Sequence, residues 1–312
     1  MPGRVYAFPD VGRAGLGNLL FPWARAEAFR KRHGVPMLVP QWVQPRLGTF
    51  LRRETDKRIY VRMFRNDAYI AGLRKYIILA RATVIDWYDA EAFMASGEAA
   101  KSSRPYVVRF WRYEDWFKGV DHEREHVCRR LWTITAPRIK RVLAQTPTDF
   151  EIAVHVRRGD KPTLAYGQSY PTDSPNYAVA DEWFIEAIEQ ARSVLGKEAR
   201  VKVFSDAKPG QIAKILAHPG VSLAPPNPAL VDIYMMARCK VLIPTSGSSF
   251  SAWSQFIGGM PAIWYPTLAS RVIRDRADLS LEADLKGGLS PADLGTLASG
   301  AASPARLADV GV

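Results

Sequence analysis

The chain has 312 residues, 47% of them hydrophobic, a formal net charge of +12 and two cysteines. That length allows two domains with sizeable cores, and the charge calls for anionic partners such as nucleic acid, an anionic lipid surface or phosphorylated small molecules. No Cys/His cluster has metal-site spacing, no apolar run is long enough to span a bilayer, and the start Met1-Pro-Gly-Arg-Val-Tyr6 does not read as a signal peptide. A soluble protein of a reducing compartment is expected, with Cys128 and Cys239 as two buried thiols. The basic residues crowd one region: Arg46, Arg52, Arg53, Lys57, Arg58, Arg62, Arg65, Arg74 and Lys75 stand against Glu54, Asp56 and Asp67. A solvated face explains such a run, and contact with an anionic acceptor or membrane is the second reading.

In chain order, Arg4 to Phe8 reads as a strand. Gly12 to Asn18 forms a glycine-rich loop, and Leu19 to about His33 a helix stopped by Gly34. Val35 to Val39 reads as the next strand, so the chain opens β-loop-α-β. In the middle, Leu73 to Leu79 and Arg104 to Phe110 read as strands, Trp111 to Phe117 is dense in aromatics, and Asp121 to Leu131 looks helical. Pro137, Pro147 and Thr148 mark a domain boundary near residue 150.

From 151 the pattern becomes regular. Strand 151–156 leads into a polar insertion, Lys161 to Ala180. Then come helix Asp181–Leu195, strand Arg200–Phe204, helix Pro209–Ala217, helix Leu230–Arg238, strand Lys240–Ile243, helix Phe250–Ile257 and strand Ala262–Tyr265. Strands alternating with helices imply a parallel sheet covered on both faces. The expected fold is α/β, with two Rossmann-like domains facing a cleft. They would be an N-terminal domain over 1–150, a C-terminal domain over 151–266, and a tail over 267–312 that is partly helical or loosely ordered.

Four places carry candidate chemistry. In Glu151-Ile-Ala-Val-His-Val-Arg-Arg-Gly-Asp160, the alternation of Ile152, Val154 and Val156 with Ala153 and His155 marks a strand. The same alternation puts Arg157 on the His155 face and Arg158 on the other. Two guanidinium forks at the carboxyl end of a strand suit a phosphate or diphosphate. Asp160 can brace one of them. In Pro244-Thr-Ser-Gly-Ser-Ser-Phe-Ser251, hydroxyl groups gather around a helix start, a preferred home for phosphate oxygens. The Gly12–Asn18 loop also precedes a helix, but it lacks the third glycine of a dinucleotide fingerprint and the Lys-Ser/Thr of a Walker loop. Ser205-Asp206 closes a strand at the same predicted edge, where Asp206 reads either as a sugar or base acceptor or as a helix cap. His33, His122, His126 and His218 read as surface or satisfied residues.

The order of these features is familiar. Gly15-Leu-Gly17-Asn18-Leu-Leu-Phe21, His155-Val-Arg-Arg-Gly-Asp160, Ser205-Asp206, Asp232-Ile-Tyr-Met-Met-x-x-Cys-Lys240 and Ser248-Ser-Phe-Ser-x-Trp253 together resemble the α-1,2-fucosyltransferases of glycosyltransferase family 11. More distantly they resemble the α-1,6- and protein O-fucosyltransferases. Phe110 to Phe117 resembles the aromatic stretch of the same family. The resemblance implies a GT-B fold, a GDP-fucose donor, inversion at the anomeric carbon, and neither a metal nor another cofactor. It matches Arg157 to the arginine on the donor diphosphate, with Arg158 and His155 in support, and Asp206 and Asp232 to positions near the nucleoside. It matches Ser248, Ser249 and Phe250 to the loop that wraps the diphosphate, and the Gly15, Gly17 and Asn18 loop to a donor contact. The sequence departs from the family at Leu19, Ala207, Thr245 to Gly247 and Arg112. Ala165 stands about where the α-1,6 enzymes carry a catalytic glutamate.

The expected activity is transfer of fucose to a glycan hydroxyl, the galactose 2-OH by resemblance. Arg157 and the Ser248/Ser249 donors would stabilise the leaving diphosphate, and a carboxylate would take the acceptor proton. Asp160 leads as that base, with Asp10 and Glu114 behind it. The partners implied are a GDP-sugar and a glycan acceptor, lipid-linked or free, with peripheral contact to an anionic inner-membrane surface from the cytoplasm. A relative using another GDP-sugar is the nearest alternative. A nucleic-acid-binding protein is the alternative from another class, and no RNA-binding or helix-turn-helix pattern supports it.

Overall fold

A computed structural model describes residues 4–12, 14–42, 60–113, 115–159, 163, 165–166, 178–245, 247–265, 279–283 and 285–302. Asp160, Glu114, Ser246 and the basic residues from Arg46 to Arg58 lie outside the described residues. The chain divides into two compact units, 1–138 and 139–312. The division falls twelve residues before the boundary expected at 150, because a helix over Pro137–Gln145 buries Ile139 and Leu143. Pro137 starts that helix, where its missing N–H costs nothing.

The first unit runs β1 (Val5–Pro9), α1 (Leu16–His33), α2 (Gly72–Arg81), β2 (Thr83–Asp86), α3 (Ala90–Ser96), α4 (Glu98–Lys101), β3 (Tyr106–Phe110) and α5 (Arg124–Ile134). Its strands form a parallel sheet in the order β1-β3-β2. The segment Val35 to Val39, expected as a strand, joins only through single parallel bridges, Ala7 to Met37 and Leu38 to Ile70. Leu73 to Leu79, expected as a strand, is helical. Its buried residues are Lys75 and Ile78, three apart, which is a helix spacing. The helix turns Leu73, Tyr76 and Ile77 outward, and buried Lys75 donates to the Val39 carbonyl at 2.8 Å.

α1 is buried on all sides from Leu19 to Phe29 and ends at Gly34 with φ +63, as its sequence requires. Glu27, fully buried on α1, accepts from Tyr69 Oη at 2.6 Å and lies 3.1 Å from Arg30. Burial works to raise its pKa, but His126, Tyr69, Arg130 and Arg30 outweigh it and hold the carboxyl at about 2.

The second unit runs α6 (Pro137–Gln145), β4 (Ile152–Val156), α7 (Asp181–Leu195), β5 (Val201–Ser205), α8 (Ala213–Leu216), β6 (Val221–Leu223), α9 (Ala229–Met236), β7 (Val241–Ile243), α10 (Ser249–Gly258), β8 (Ala262–Trp264), β9 (Ser280–Glu282) and α11 (Pro291–Ala302). Its six strands are all parallel in the order β6-β5-β4-β7-β8-β9. Ile152, Val154, Val201, Val203, Val241 and Ile243 are fully buried, with Trp183, Phe184 and Ile188 of α7 in the same core. Each such apolar side chain contributes roughly 1.5–3 kcal/mol relative to exposure. The stretch beyond 266, expected as a separate tail, supplies β9 and α11 to this unit, and Leu297 and Ala301 of α11 join its core.

β2, β6 and β9 were not expected from the sequence, and each is the outermost strand of its sheet. An edge strand is buried on less of its surface, so it lacks the apolar run that betrays a central one. Cys128 and Cys239 are buried free thiols, as expected, and burial pushes both up to about 12. No described helix is long and apolar enough to cross a membrane.

α10 packs closely on α9. A Cβ on Gly258 would lie 2.4 Å from the Ala237 carbonyl oxygen and 2.6 Å from Met260 Sδ. Alanine is the better helix former by about 1 kcal/mol, but the backbone clash outweighs that preference. Gly258→Ala should therefore destabilise the fold by roughly 1–3 kcal/mol, read from the urea midpoint; a gain in stability would show the contact to be soft.

Candidate functional site

In the second sheet the chain leaves β4 toward β5 and β6 on one side, then crosses to β7, β8 and β9 on the other. β4 and β7 are thus neighbours where the strand order reverses, and open α/β sheets bind ligands outside the carboxyl ends at such a point. The carboxyl end of β4 carries Arg157 and Arg158. The carboxyl end of β7 runs through Thr245, Gly247 and Ser248 into α10.

The two arginines have opposite fates. Arg158 is only 4% exposed, and its guanidinium donates to the Val179 carbonyl and the Asp181 carboxylate. The Asp181 carboxylate, on the first turn of α7, braces Arg158; Asp160, expected to brace one of the two arginines, lies outside the described residues. Arg157 is exposed and makes no hydrogen bond or ion pair to any described residue. Strand alternation separates the two faces, and α7 covers the Arg158 face.

His155, two residues before Arg157, ties β4 to α10. Its Nδ1 lies 2.6 Å from Ser251 Oγ and 3.4 Å from Ser248 Oγ, and the Phe250 ring sits 5.3 Å from the imidazole. Burial pushes the His155 pKa down to about 4; Asp206 opposes the shift and the Arg157 charge adds to it. The imidazole is therefore neutral at pH 7. Ser248 is the N-cap of α10, its hydroxyl accepting from the Ser251 N–H at 3.3 Å. That takes Ser248 Oγ for the helix itself and leaves the Ser249 hydroxyl and the first-turn N–H groups at the helix end.

Asp206 braces the turn after β4 from the neighbouring strand. Its Oδ1 accepts the N–H of Arg158 at 2.8 Å and of Gly159 at 3.3 Å. Gly159 holds φ +46, a conformation that favours glycine. The following helical turn is capped by Lys208, not Asp206. Asp232, half-buried on α9, accepts from Asn227 Nδ2 at 3.1 Å, and burial raises its pKa from 3.8 to about 7.

In the first unit, Gly15 caps α1 with φ −70 and offers no side chain to the first-turn N–H groups, and no acidic residue stands in that turn. A Cβ on Gly12 or Gly15 would meet nothing within 4 Å. Neither backbone strain nor packing inside the chain requires glycine there. Gly17 is buried and Asn18 half-buried at the same helix start. The sequence reading missed Arg25, a buried arginine on α1, and Gln255, a buried amide on α10 that bonds the Leu279 carbonyl, Ser280 and Trp264. Both are polar residues amid apolar neighbours, a pattern with no local signature of its own.

Two outcomes follow from these surroundings. Arg158→Ala removes the charge partner of the half-buried Asp181 carboxylate and should cost about 1–3 kcal/mol, whereas Arg157→Ala should stay within about 0.5 kcal/mol; urea denaturation of both variants checks the contrast. Asp232 binds a proton more tightly folded than unfolded, so its contribution is present below pH 3.8 and is lost as pH rises to about 7. Asp232→Asn should match the wild type at pH 4 and exceed it in melting temperature at pH 8; equal values at both pH values would contradict the assignment.

No protein-family model matches the chain, and no curated protein matches it. Solved structures do. The apo form of POFUT1 superposes with a TM-score of 0.51 at 12% identity, covering 86% of this chain and 99% of that one. POFUT1 in complex with GDP gives 0.52 at 13% identity, covering 85% and 99%. The NodZ alpha-1,6-fucosyltransferase co-crystallised with GDP gives 0.50 at 16% identity, covering 86% and 97%. At these identities the likeness is one of fold: the chain has the α/β, GT-B type of fold that these fucosyltransferases share, built here as two units with parallel sheets.

Proposed function

We propose that the chain transfers L-fucose from GDP-fucose to a glycan hydroxyl, the galactose 2-OH by sequence resemblance, with inversion and without a metal. The observation that carries this reading is Arg157. It is an exposed guanidinium with no partner among the described residues, at the strand-order reversal, beside a helix start tied to its own strand through His155 and Ser251. Structures of the same fold have been solved with GDP bound.

Each residue then has a task. The leaving diphosphate gains negative charge as the sugar–phosphate bond breaks. Arg157 meets it with two donors in one plane, and the first-turn N–H groups at Ser249 and Phe250 meet it with the positive end of α10. These donors are fixed before the reaction, so no reorganisation is needed as charge develops. His155, neutral and bonded to Ser251, holds strand and helix in register and adds no competing charge. Asp206 sets the direction of Arg157 by fixing the next two N–H groups of the turn. Asp232 faces the nucleoside in this reading, and its removal should weaken GDP binding. The anomeric carbon passes through an oxocarbenium-like state, and Asp160 takes the acceptor proton.

GDP and GDP-fucose should raise the melting temperature, while UDP-glucose and NAD should not. Stabilisation by GDP-mannose with none by GDP-fucose would replace the donor sugar, and none by GDP would sink the reading. In the same assay series, Arg157→Lys should keep the fold and lose turnover more than a hundredfold, about 3 kcal/mol of transition-state stabilisation, because lysine keeps the charge but not the fork. Activity should persist in EDTA.

A further inference from the structure

The first sheet has its own reversal of strand order. β1 lies between the Met37–Leu38 bridges on one flank and β3 on the other, so the carboxyl ends of β1 and β3 form the edge where a ligand would be expected. That edge differs from the arginine site in its rings. Beside exposed Arg109 and Arg112, its exposed large apolar side chains are aromatic: Trp111 is 36% exposed, Tyr113 38% and Tyr88 46%. The polar handles of Trp111 and Tyr88, and Arg109 beside them, are anchored on carboxylates. Trp111 Nε1 donates to Asp86 at 2.8 Å, Tyr88 Oη donates to Asp115, and Arg109 donates to Asp10 at 2.7 Å. Arg112 lies over the Trp111 ring at 4.6 Å and the Tyr88 ring at 5.6 Å.

The loop that bears Trp111 and Tyr113 is held from beneath. Arg25, on α1 and 2% exposed, donates to the carbonyls of Arg112, Trp116 at 2.7 Å and Lys118 at 3.2 Å, and its guanidinium sits 4.9 Å from the Trp87 ring. Trp116 keeps φ +47, a strained conformation for a bulky residue. Burying a guanidinium costs desolvation, and here its hydrogen bonds fix the course of one surface loop. Rings that are exposed yet immobilised lose little entropy when a ligand stacks on them.

The chemistry selects the ligand. A pyranose presents a face of C–H bonds and a rim of hydroxyls. Flat exposed rings suit the face, while carboxylates with free lone pairs and guanidinium donors suit the rim. A nucleic acid would bring phosphates toward Asp10, Asp86 and Asp115, which disfavours it. We propose that Trp111 and Tyr88 form the stacking platform for a neutral sugar acceptor, with Asp86 and Asp115 oriented to its hydroxyls and Arg25 as the positioning residue. This assignment of the acceptor rests on the fucosyltransferase reading above, but the binding surface is tested apart from it.

The test compares wild type, Trp111→Ala, Tyr88→Ala and Trp111→Phe. The probes are an array of neutral oligosaccharides ending in galactose, glucose, N-acetylglucosamine or mannose, and GDP by thermal shift. Wild type should bind at least one sugar class. Both alanine variants should lose that signal tenfold or more while keeping the full GDP shift, and Trp111→Phe, which keeps a ring, should retain most of it. The proposal is overturned if wild type binds none of the sugars, or if the alanine variants bind them as wild type does. Loss of sugar binding in the alanine variants together with no GDP shift in wild type would leave the platform standing and remove the donor reading instead.

Discussion

The contact between His155 and Ser251 is the constraint on which the second unit's site depends. The six-stranded sheet is built in two directions from β4, and nothing in the backbone ladder fixes where the helix after β7 begins relative to the end of β4. The 2.6 Å contact does so, and it joins residues 96 apart in sequence. It works because the imidazole is neutral. A protonated His155 would place a buried positive charge beside Arg157, and burial removes that state down to about pH 4. A neutral ring bonds Ser251 through Nδ1 without adding charge beside Arg157.

The same strand end shows how adjacent residues acquire different work. Arg157 and Arg158 carry the same group one peptide apart. The pleat sends them to opposite faces, and only one face is covered by α7. Arg158 therefore closes onto Asp181 and Val179 and braces the fold, while Arg157 stays exposed. Asp206 sharpens the difference by holding the backbone N–H groups of Arg158 and Gly159, so that the turn itself is rigid. Asp206 also explains Gly159: with φ +46, a side chain there would be strained as well as close to the Asp206 carboxylate.

The edges of the two sheets share a geometry and differ in chemistry. Both lie where strand order reverses. The second unit's edge offers a free guanidinium and a helix start, which suit a diphosphate. The first unit's edge offers stacked rings and anchored carboxylates, which suit neutral hydroxyl-bearing rings. Arg25 and Glu27 show how α1 serves the first unit: two buried charges, one turned to the aromatic loop and one to Tyr69, Arg30 and Arg130. An apolar helix would fill the same volume but would fix neither neighbour.

Local pattern alone gave the elements with strong burial. β7 and β8 are central strands with continuous apolar runs, β4 and β5 alternate apolar residues with His155 and Lys202, and α7 and α10 have helical spacing and clear stops, so each was legible within a residue or two. The positions of Arg157 after a strand and of the serine-rich loop before a helix were legible as well, because both have local signatures. Other features belonged to the tertiary structure. Leu73 to Leu79 became a helix because burial selected Lys75 and Ile78 while leaving larger apolar side chains outside. The edge strands β2, β6 and β9 gained their pairing from neighbours and not from their own residues. Which arginine is buried and which exposed, why Asp206 stands where it does, and that Arg25 holds the aromatic loop were decided by contacts between residues tens of positions apart. Such contacts form only when the chain is folded, and a hydrogen bond across that separation leaves no periodicity in the sequence to read.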